Sequence, residues 1–587
     1  MILVLLHACN SNRHSLMYIL GINAAFHDTA AALVKDGKII AAAEEERFTH
    51  IKHGKRPVPF STWELPFHAI DYCLKTAGLT LKDVDRIAYS FDPDGVEDST
   101  IFEETLFEES DTAVAVGARN SWDTLFLNYI RKAPEQLRDG YPHHLQKRLS
   151  NSGDLTHKWE FVNHHIAHAA SAFFPSPFSH AAVLTLDGRG ELATTGYFMG
   201  DTNELKQIGS VNMPHSLGML YEKITTYLGF LQSSDEYKVM ALASYGKPIY
   251  LEDFRSVIHV GNDGQYTIDD FDPAEFWGPG RTKDDSFDEL HFNIAHSLQK
   301  ALEETVLKLV NWLYDQTHYE NLCMAGGVAL NCVMNAVIRD RGPFKNVWVQ
   351  PAAGDSGTAL GAAQWIDLQL NKNNTDRRYT SPMEHVYWGP EYSDDEIERF
   401  MIWAKMPYKR LYNVAKETAQ ILAQDKIIAW YQGRMEFGPR SLGARSILAS
   451  PIHPDMQARL NDIKDREDFR PVAPVVLEED VSEWFENAGL SPFMLFVFPV
   501  RNEKADLIPA VRHTDGTARV QTINKNQHPL YHELITEFKA LTGVPVLVNT
   551  SFNTRGEPIV CTPRDAIECF WTSPFDALII NSFILQK

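Results

Sequence analysis

The chain has 587 residues, 44% of them hydrophobic and 22% charged, with a formal charge of -22 at pH 7. That length exceeds what one hydrophobic core supports and predicts two to four domains. The acidic balance argues against nucleic acid or an anionic membrane as partner and favours a cationic one.

Met1 to Leu6 is apolar but lacks a basic leader and is too short to span a bilayer; Met17 stands directly before the first convincing strand. Residues 1–16 are therefore expected to form a disordered, loosely attached extension. From Tyr18 the pattern predicts a strand over 18–23, a second over 30–34, an Asp36-Gly37 hairpin and a third over 38–44. A helix follows from Ser61, whose spacing to Glu64 is a capping box, to Gly78. The same syntax returns with strands over 181–186, 193–199 and 205–211 and a helix over 217–228, which predicts an internal duplication with two lobes facing one cleft.

Within this half His164 and His168 stand four residues apart, so on a helix their imidazoles share a face. Asp187 closes an apolar strand at a Gly-rich turn, and Asp355 opens another helix after Gly354. Each feature alone has a bland reading, a satisfied histidine pair and an ordinary Asp-Gly turn. Together they suggest a two-His, two-Asp site for one divalent transition metal. Gly326-Gly327, running into a helix that carries Leu330 and Asn331, adds a backbone-rich turn suited to phosphate.

Polar residues 371–378 predict a domain boundary within 371–385, dividing a first domain over 17–370 from a second over 386–587. The second alternates again: helices over 414–424, 454–463, 529–541 and 563–571, and strands over 427–431, 471–477, 493–500, 545–549 and 577–583. Its loops concentrate cations, with Arg434 and Arg440 among glycines, then Lys464, Arg466 and Arg470, Arg519, and Asn553 with Arg555. Surface ion pairing is the usual fate of an arginine, but guanidiniums flanked by Gly and Pro suit a loop closing over a small phosphate. The six cysteines form neither a close metal-type pair nor a disulfide framework, which fits a reduced cytoplasm.

The blocks Gly21-Ile22-Asn23, Phe26 to Ala31, Ala43 to Thr49, Lys52-His53-Gly54, His164 to Ala172, Glu236 to Met240, Gly326 to Asn331, Arg434 to Gly443, Arg466 to Pro474 and Val546 to Gly556 fall in family order. Together they resemble the O-carbamoyltransferases of nodulation and antibiotic biosynthesis. The resemblance implies an α/β fold: a duplicated N-terminal domain of the actin and sugar-kinase ATPase superfamily and a C-terminal YrdC-like domain. It also implies carbamoyl-adenylate formation from carbamoyl phosphate and ATP with Mg2+ in the second domain, then transfer to a hydroxyl in the first. The family's metal ligands fall on His164, His168, Asp187 and Asp355, with Fe(II) the usual ion. Its carbamoyl-phosphate and nucleotide residues fall on Arg434, Arg440, Lys464, Arg470, Arg519, Asn553 and Arg555.

His27 is a candidate base for the acceptor hydroxyl, and Lys52 and Lys238 are candidate phosphate or substrate contacts. Two other readings share these domains: a tRNA-modifying carbamoyltransferase, disfavoured by the charge, and an actin-like ATP-driven regulator, which leaves the Arg434 to Arg555 set without a task. The expected acceptor is a small, cationic, hydroxyl-bearing metabolite whose specificity is sought in residues 102–149. The assembly, monomer or homodimer, stays open.

Overall fold

The computed structural model describes residues 17–54, 65–96, 127, 129–139, 153–372, 382–554 and 556–587. The expected extension over 1–16, the Ser61 to Glu64 capping box, Arg555 and most of both the 102–149 segment and the 371–385 linker lie outside them.

Two five-stranded sheets make up the N-terminal half. The first has the order β3-β2-β1-β4-β5, from β1 (Tyr18–Asn23), β2 (Ala30–Lys35), β3 (Lys38–Glu44), β4 (Arg86–Tyr89) and β5 (Trp159–Phe161). The second has the order β10-β9-β6-β7-β8, from β6 (His180–Leu186), β7 (Ala193–Asp201), β8 (Glu204–Asn212), β9 (Asn321–Ala325) and β10 (Asn346–Val349). In each sheet the first three strands in sequence form an antiparallel meander, and the last two add in parallel to its first strand. The repeated order and senses are the duplication expected from the sequence.

Helix Ser356–Asn371 wedges between the lobes, packing on β1 and on helix His164–Phe173. The approach depends on missing side chains, since a Cβ at Gly361 would lie 1.8 Å from the Ala167 carbonyl oxygen and one at Gly21 1.8 Å from that of Ala359. Gly361→Ala is expected to destabilise the protein by about 3 kcal/mol through overpacking. Gly489→Ala, where an added Cβ meets nothing within 4 Å, should stay within about 0.5 kcal/mol. Urea titration followed by tryptophan fluorescence checks the pair, and equal midpoints would refute the close-packing account.

The C-terminal half is an eight-stranded mixed sheet covered by helices, among them Val414–Leu422, Pro529–Thr542 and Pro563–Thr572. Its strands and helices follow the expected order, with helix Asp394–Trp403 and strands Thr517–Arg519 and Gln521–Ile523 added and with further differences. The strand expected over 577–583 is a hairpin, Ala577–Ile580 and Phe583–Gln586, because Asn581 takes a left-handed conformation (φ 46°) and reverses the chain. The expected strand over 493–500 shortens to Val497–Pro499, and Arg445–Ala449 is an additional strand. In the N-terminal half the 29-residue helix Glu289–Thr317 also went unread.

The halves are not separated by a wet cleft. Phe437, Leu442, Ala473, Phe493, Met494 and Leu495 join the same buried apolar cluster as the N-terminal core. Met383 and Val386, at the end of the expected linker, pack into it as well. Among the described residues no helix is long and apolar enough to cross a membrane.

Candidate active site and its cation pocket

Helix His164–Phe173 begins at its own ligand candidate. Asn163 caps it, accepting from the Ile166 amide at 3.2 Å, and Glu191 accepts the His164 N–H at 2.9 Å and the Asp92 N–H at 2.7 Å. One buried carboxylate thus pins the helix start, the β4 loop and the β6–β7 turn together; no periodic signal marks Glu191 in the sequence.

His164 Nε2 and His168 Nε2 face each other at 3.2 Å. Asp187 Oδ2 lies 3.2 and 3.4 Å from them, and Asp355 Oδ1 3.5 and 3.6 Å. These separations are close to the edge of a tetrahedron around a cation with bonds of about 2.1 Å, roughly 3.4 Å. The Ser90 carbonyl oxygen lies 3.2 Å from His164 Nδ1, and the Gly327 N–H donates to Asp187 Oδ1 at 2.8 Å, so the ring and one carboxylate are oriented from behind. Both carboxylate oxygens of Asp355 are buried without a hydrogen-bond partner among the described residues.

Two buried carboxylates and two imidazoles turned on one point are costly unless a cation neutralises them. The donor set therefore fits a divalent transition metal. Burial raises the Asp355 carboxyl, but the charge of His27 and His164 outweighs it and brings the group down to about 2.

His27 sits beside this constellation, its Nδ1 2.9 Å from Asp28 Oδ2 and 3.8 Å from Asp355 Oδ2. Asp28 also holds His53, with Nδ1 2.9 Å from Oδ1, and the His53 N–H donates to Glu46 Oε2 at 2.6 Å. Asp28, Glu46 and His53 were not singled out from the sequence; 25 residues separate Asp28 from His53 with no periodic spacing to join them.

The expected phosphate turn at Gly326-Gly327 is used otherwise. Gly326 (φ 94°) lies against the Leu186 carbonyl oxygen, which a Cβ would approach to 2.1 Å, and the Gly327 amide serves Asp187. Leu330 and Asn331 precede the helix Cys332–Arg341, and Asn331 caps it by accepting from the Met334 N–H at 2.9 Å.

In the C-terminal half Arg440, Lys464, Arg466, Arg470 and Arg519 lie close enough to act on one another's charge. Nitrogens of Arg440, Arg466 and Arg519 are buried with no hydrogen-bond partner among the described residues. Lys464 donates to Asn553 Oδ1 at 2.7 Å and to Ser551 Oγ at 3.1 Å, which brings these two members of the expected set, Lys464 and Asn553, together. Arg466 belongs to this group although the expected set omitted it.

The N-terminal half supplies part of the wall. The Tyr237 ring lies 4.8 Å from the Arg470 guanidinium, and Lys52 is near enough for its charge to act on Lys464. Lys238 is an ion pair across the seam, its Nζ 3.0 Å from Glu467 Oε1 and 3.1 Å from Asp235 Oδ2. Arg434 is the outlier of the expected set. It donates to the carbonyl oxygens of Trp388 (2.8 Å), Ile40 (3.3 Å) and Gly389 (3.3 Å) and to Tyr72 Oη (3.1 Å). Its guanidinium binds the seam rather than the pocket.

Burial and then the neighbouring Arg519 push Arg440 down to about 9; burial and then Arg470 do the same to Arg466, and burial with Arg466 and Arg470 holds Lys464 well below the lysine range. Folded values below the unfolded ones mean that the unfolded chain binds the protons more tightly. The cluster therefore weakens the fold at neutral pH, and that loss begins to be recovered only as pH rises above about 9. A phosphate among these groups opposes the repulsion, so inorganic phosphate is expected to raise the melting temperature more near pH 7 than near pH 10. Equal shifts at both values would remove the cluster from consideration as an oxyanion site.

The mixed α/β chain thus carries a His2Asp2 constellation in one half and, in the other, a cluster of cations in which three guanidinium nitrogens have no hydrogen-bond partner among the described residues. The carbamoyltransferase N-terminus family matches residues 18–364 and the carbamoyltransferase C-terminus family residues 419–587. The chain belongs to the carbamoyltransferase family.

An uncharacterized protein of Synechocystis sp. is 40% identical over 97% of each chain. Nodulation protein NolNO of Sinorhizobium fredii is 38% identical over 96% of this chain and 80% of its own. An uncharacterized protein of Methanocaldococcus jannaschii is 31% identical over 97% and 99% respectively. Among solved structures, T. kodakarensis HypF matches at 15% identity and TM-score 0.31, covering 62% of this chain and 48% of that one.

Proposed function

We propose that this carbamoyltransferase is ATP-dependent and acts in two half-reactions, one in each half of the chain. Carbamoyl phosphate and ATP, with its Mg2+, bind among Arg440, Lys464, Arg466, Arg470, Arg519 and Asn553. A water molecule takes the phosphoryl group of carbamoyl phosphate, leaving carbamate and inorganic phosphate; the carbamate oxygen then attacks the α-phosphorus of ATP, and pyrophosphate departs to leave carbamoyl-adenylate. The observation that carries this reading is the set of buried guanidinium nitrogens without partners among the described residues, which an oxyanion satisfies.

The adenylate turns a poor carbamate electrophile into one with a good leaving group, and the apolar packing across the seam keeps water from it. In the N-terminal cleft an acceptor hydroxyl attacks the carbamoyl carbon, its proton passes to His27, and AMP leaves. Asp28 orients His27 through the 2.9 Å contact to Nδ1. His164, His168, Asp187 and Asp355 would hold Fe(II) or a related divalent ion, which supplies positive charge to an oxygen that gains negative charge.

The acceptor we infer is a small hydroxyl compound, favoured as cationic by the acidic surface. Release of pyrophosphate and AMP from ATP is expected to require carbamoyl phosphate and no nucleic acid. Dependence of that release on added tRNA would replace this reading with the tRNA-modifying one, and ATP hydrolysis to ADP indifferent to carbamoyl phosphate would favour the regulator.

A further inference from the structure

The loop that carries Arg440 is held from two sides. Within its own domain Glu436 Oε1 accepts the N–H groups of Leu442 (2.7 Å), Ala444 (2.8 Å) and Arg445 (3.2 Å). From the N-terminal half, Arg47 Nη2 donates to the Gly438 carbonyl oxygen at 3.0 Å. A Cβ on Gly438, whose φ is 116°, would lie 3.2 Å from the Pro351 carbonyl oxygen, so the same loop also rests on the segment leading to Asp355.

Arg47 is only 3% exposed and every face of its fork is used. Nε pairs with Glu44 Oε2 at 3.0 Å and Nη1 with Glu46 Oε1 at 2.7 Å. The other oxygen of Glu46 accepts the His53 N–H; His53 and His27 are both bonded to Asp28, and His27 faces Asp355. One run of contacts thus leads from the proposed acceptor site to the proposed activation site. Its single crossing of the domain seam is the bond from Arg47 to Gly438. Lysine in place of Arg47 would balance the two carboxylates but lacks a planar fork that serves three acceptors.

We propose that Arg47 is a positioning residue through which the acceptor half sets the Arg440 loop, so that the carbamoyl-phosphate pocket is complete only when the two halves are docked. This rests on the reading of Arg440 given above.

The experiment measures pyrophosphate release from the full-length protein with ATP and carbamoyl phosphate in the absence of an acceptor. Arg47→Lys is expected to raise the KM for carbamoyl phosphate at least about fivefold, with the KM for ATP held within about twofold. Tyr72→Phe, which removes the seam bonds of Tyr72 Oη to the Trp388 carbonyl oxygen and to Arg434 and leaves the Arg47 contacts in place, is expected to leave both constants within about twofold. An unchanged KM in Arg47→Lys, or equal rises in both variants, overturns the proposal, the second because it reports seam packing in general. Should Arg47→Lys fail to fold, Glu46→Gln is read instead, where a rise in the carbamoyl-phosphate KM supports the proposal and an unchanged one overturns it. Arg440→Ala run in parallel separates the two levels: if it retains full activity, the proposed function falls and takes this inference with it. If Arg440→Ala loses activity while Arg47→Lys is normal, only this inference falls.

Discussion

A protein carrying both His164→Ala and His168→Ala is expected to lose its bound transition metal entirely and to lose carbamoyl transfer, while still releasing pyrophosphate from ATP and carbamoyl phosphate. Two imidazoles 3.2 Å apart, with the Asp187 carboxylate and an Asp355 carboxylate that has no hydrogen-bond partner among the described residues, form a donor set suited to a divalent ion. Removing both nitrogens leaves two carboxylates, too few and too mobile for tight binding of a divalent ion against water. Metal analysis of the purified protein is the first readout and is independent of catalysis. Full occupancy in the double variant would refute the ligand assignment, and loss of pyrophosphate release in step with metal would refute the separation of the half-reactions.

Arg440→Ala is expected to act in the opposite sense. Arg440 is half-buried beside Arg470 and Arg519, and its buried Nε has no hydrogen-bond partner among the described residues, so an oxyanion there takes up a bond that none of them makes. Loss of one such preorganised donor lowers turnover on the order of a hundredfold or more. Pyrophosphate release should fall by that factor while metal content is unchanged. The substitution also relieves cation repulsion, so the substrate-free protein should melt no lower than the parent. A variant that keeps its rate would transfer the phosphate-binding role to other residues.

The architecture was legible where periodicity and turn chemistry agree. The two meanders, each ending at an acid or a histidine loop, appear in the chain as alternating apolar runs closed by Asp-Gly pairs, and the i,i+4 histidines place themselves on one helix face. Residues whose role depends on side-chain direction were not legible. Arg434 and Arg440 share one glycine-rich loop and look alike in sequence, yet one guanidinium turns to the seam carbonyls and the other inward. Asp28, Glu46 and His53 come from a hairpin, a short helix and a 3-10 turn, so only the folded chain assembles them. Helix Glu289–Thr317 escaped because charged residues interrupt its apolar stripe, whereas its burial against several neighbours decides its conformation.

The buried cluster containing Phe437, Leu442 and Phe493 together with the N-terminal core makes each half an unfinished surface without the other. Carbamoylating enzymes with new acceptors are therefore poorly made by grafting a foreign acceptor half onto this activating half at the linker. A chimera of that kind inherits two mismatched apolar faces, and a workable exchange has to carry the 383–388 segment, the 433–445 loop and the 493–495 residues along with whichever half they face.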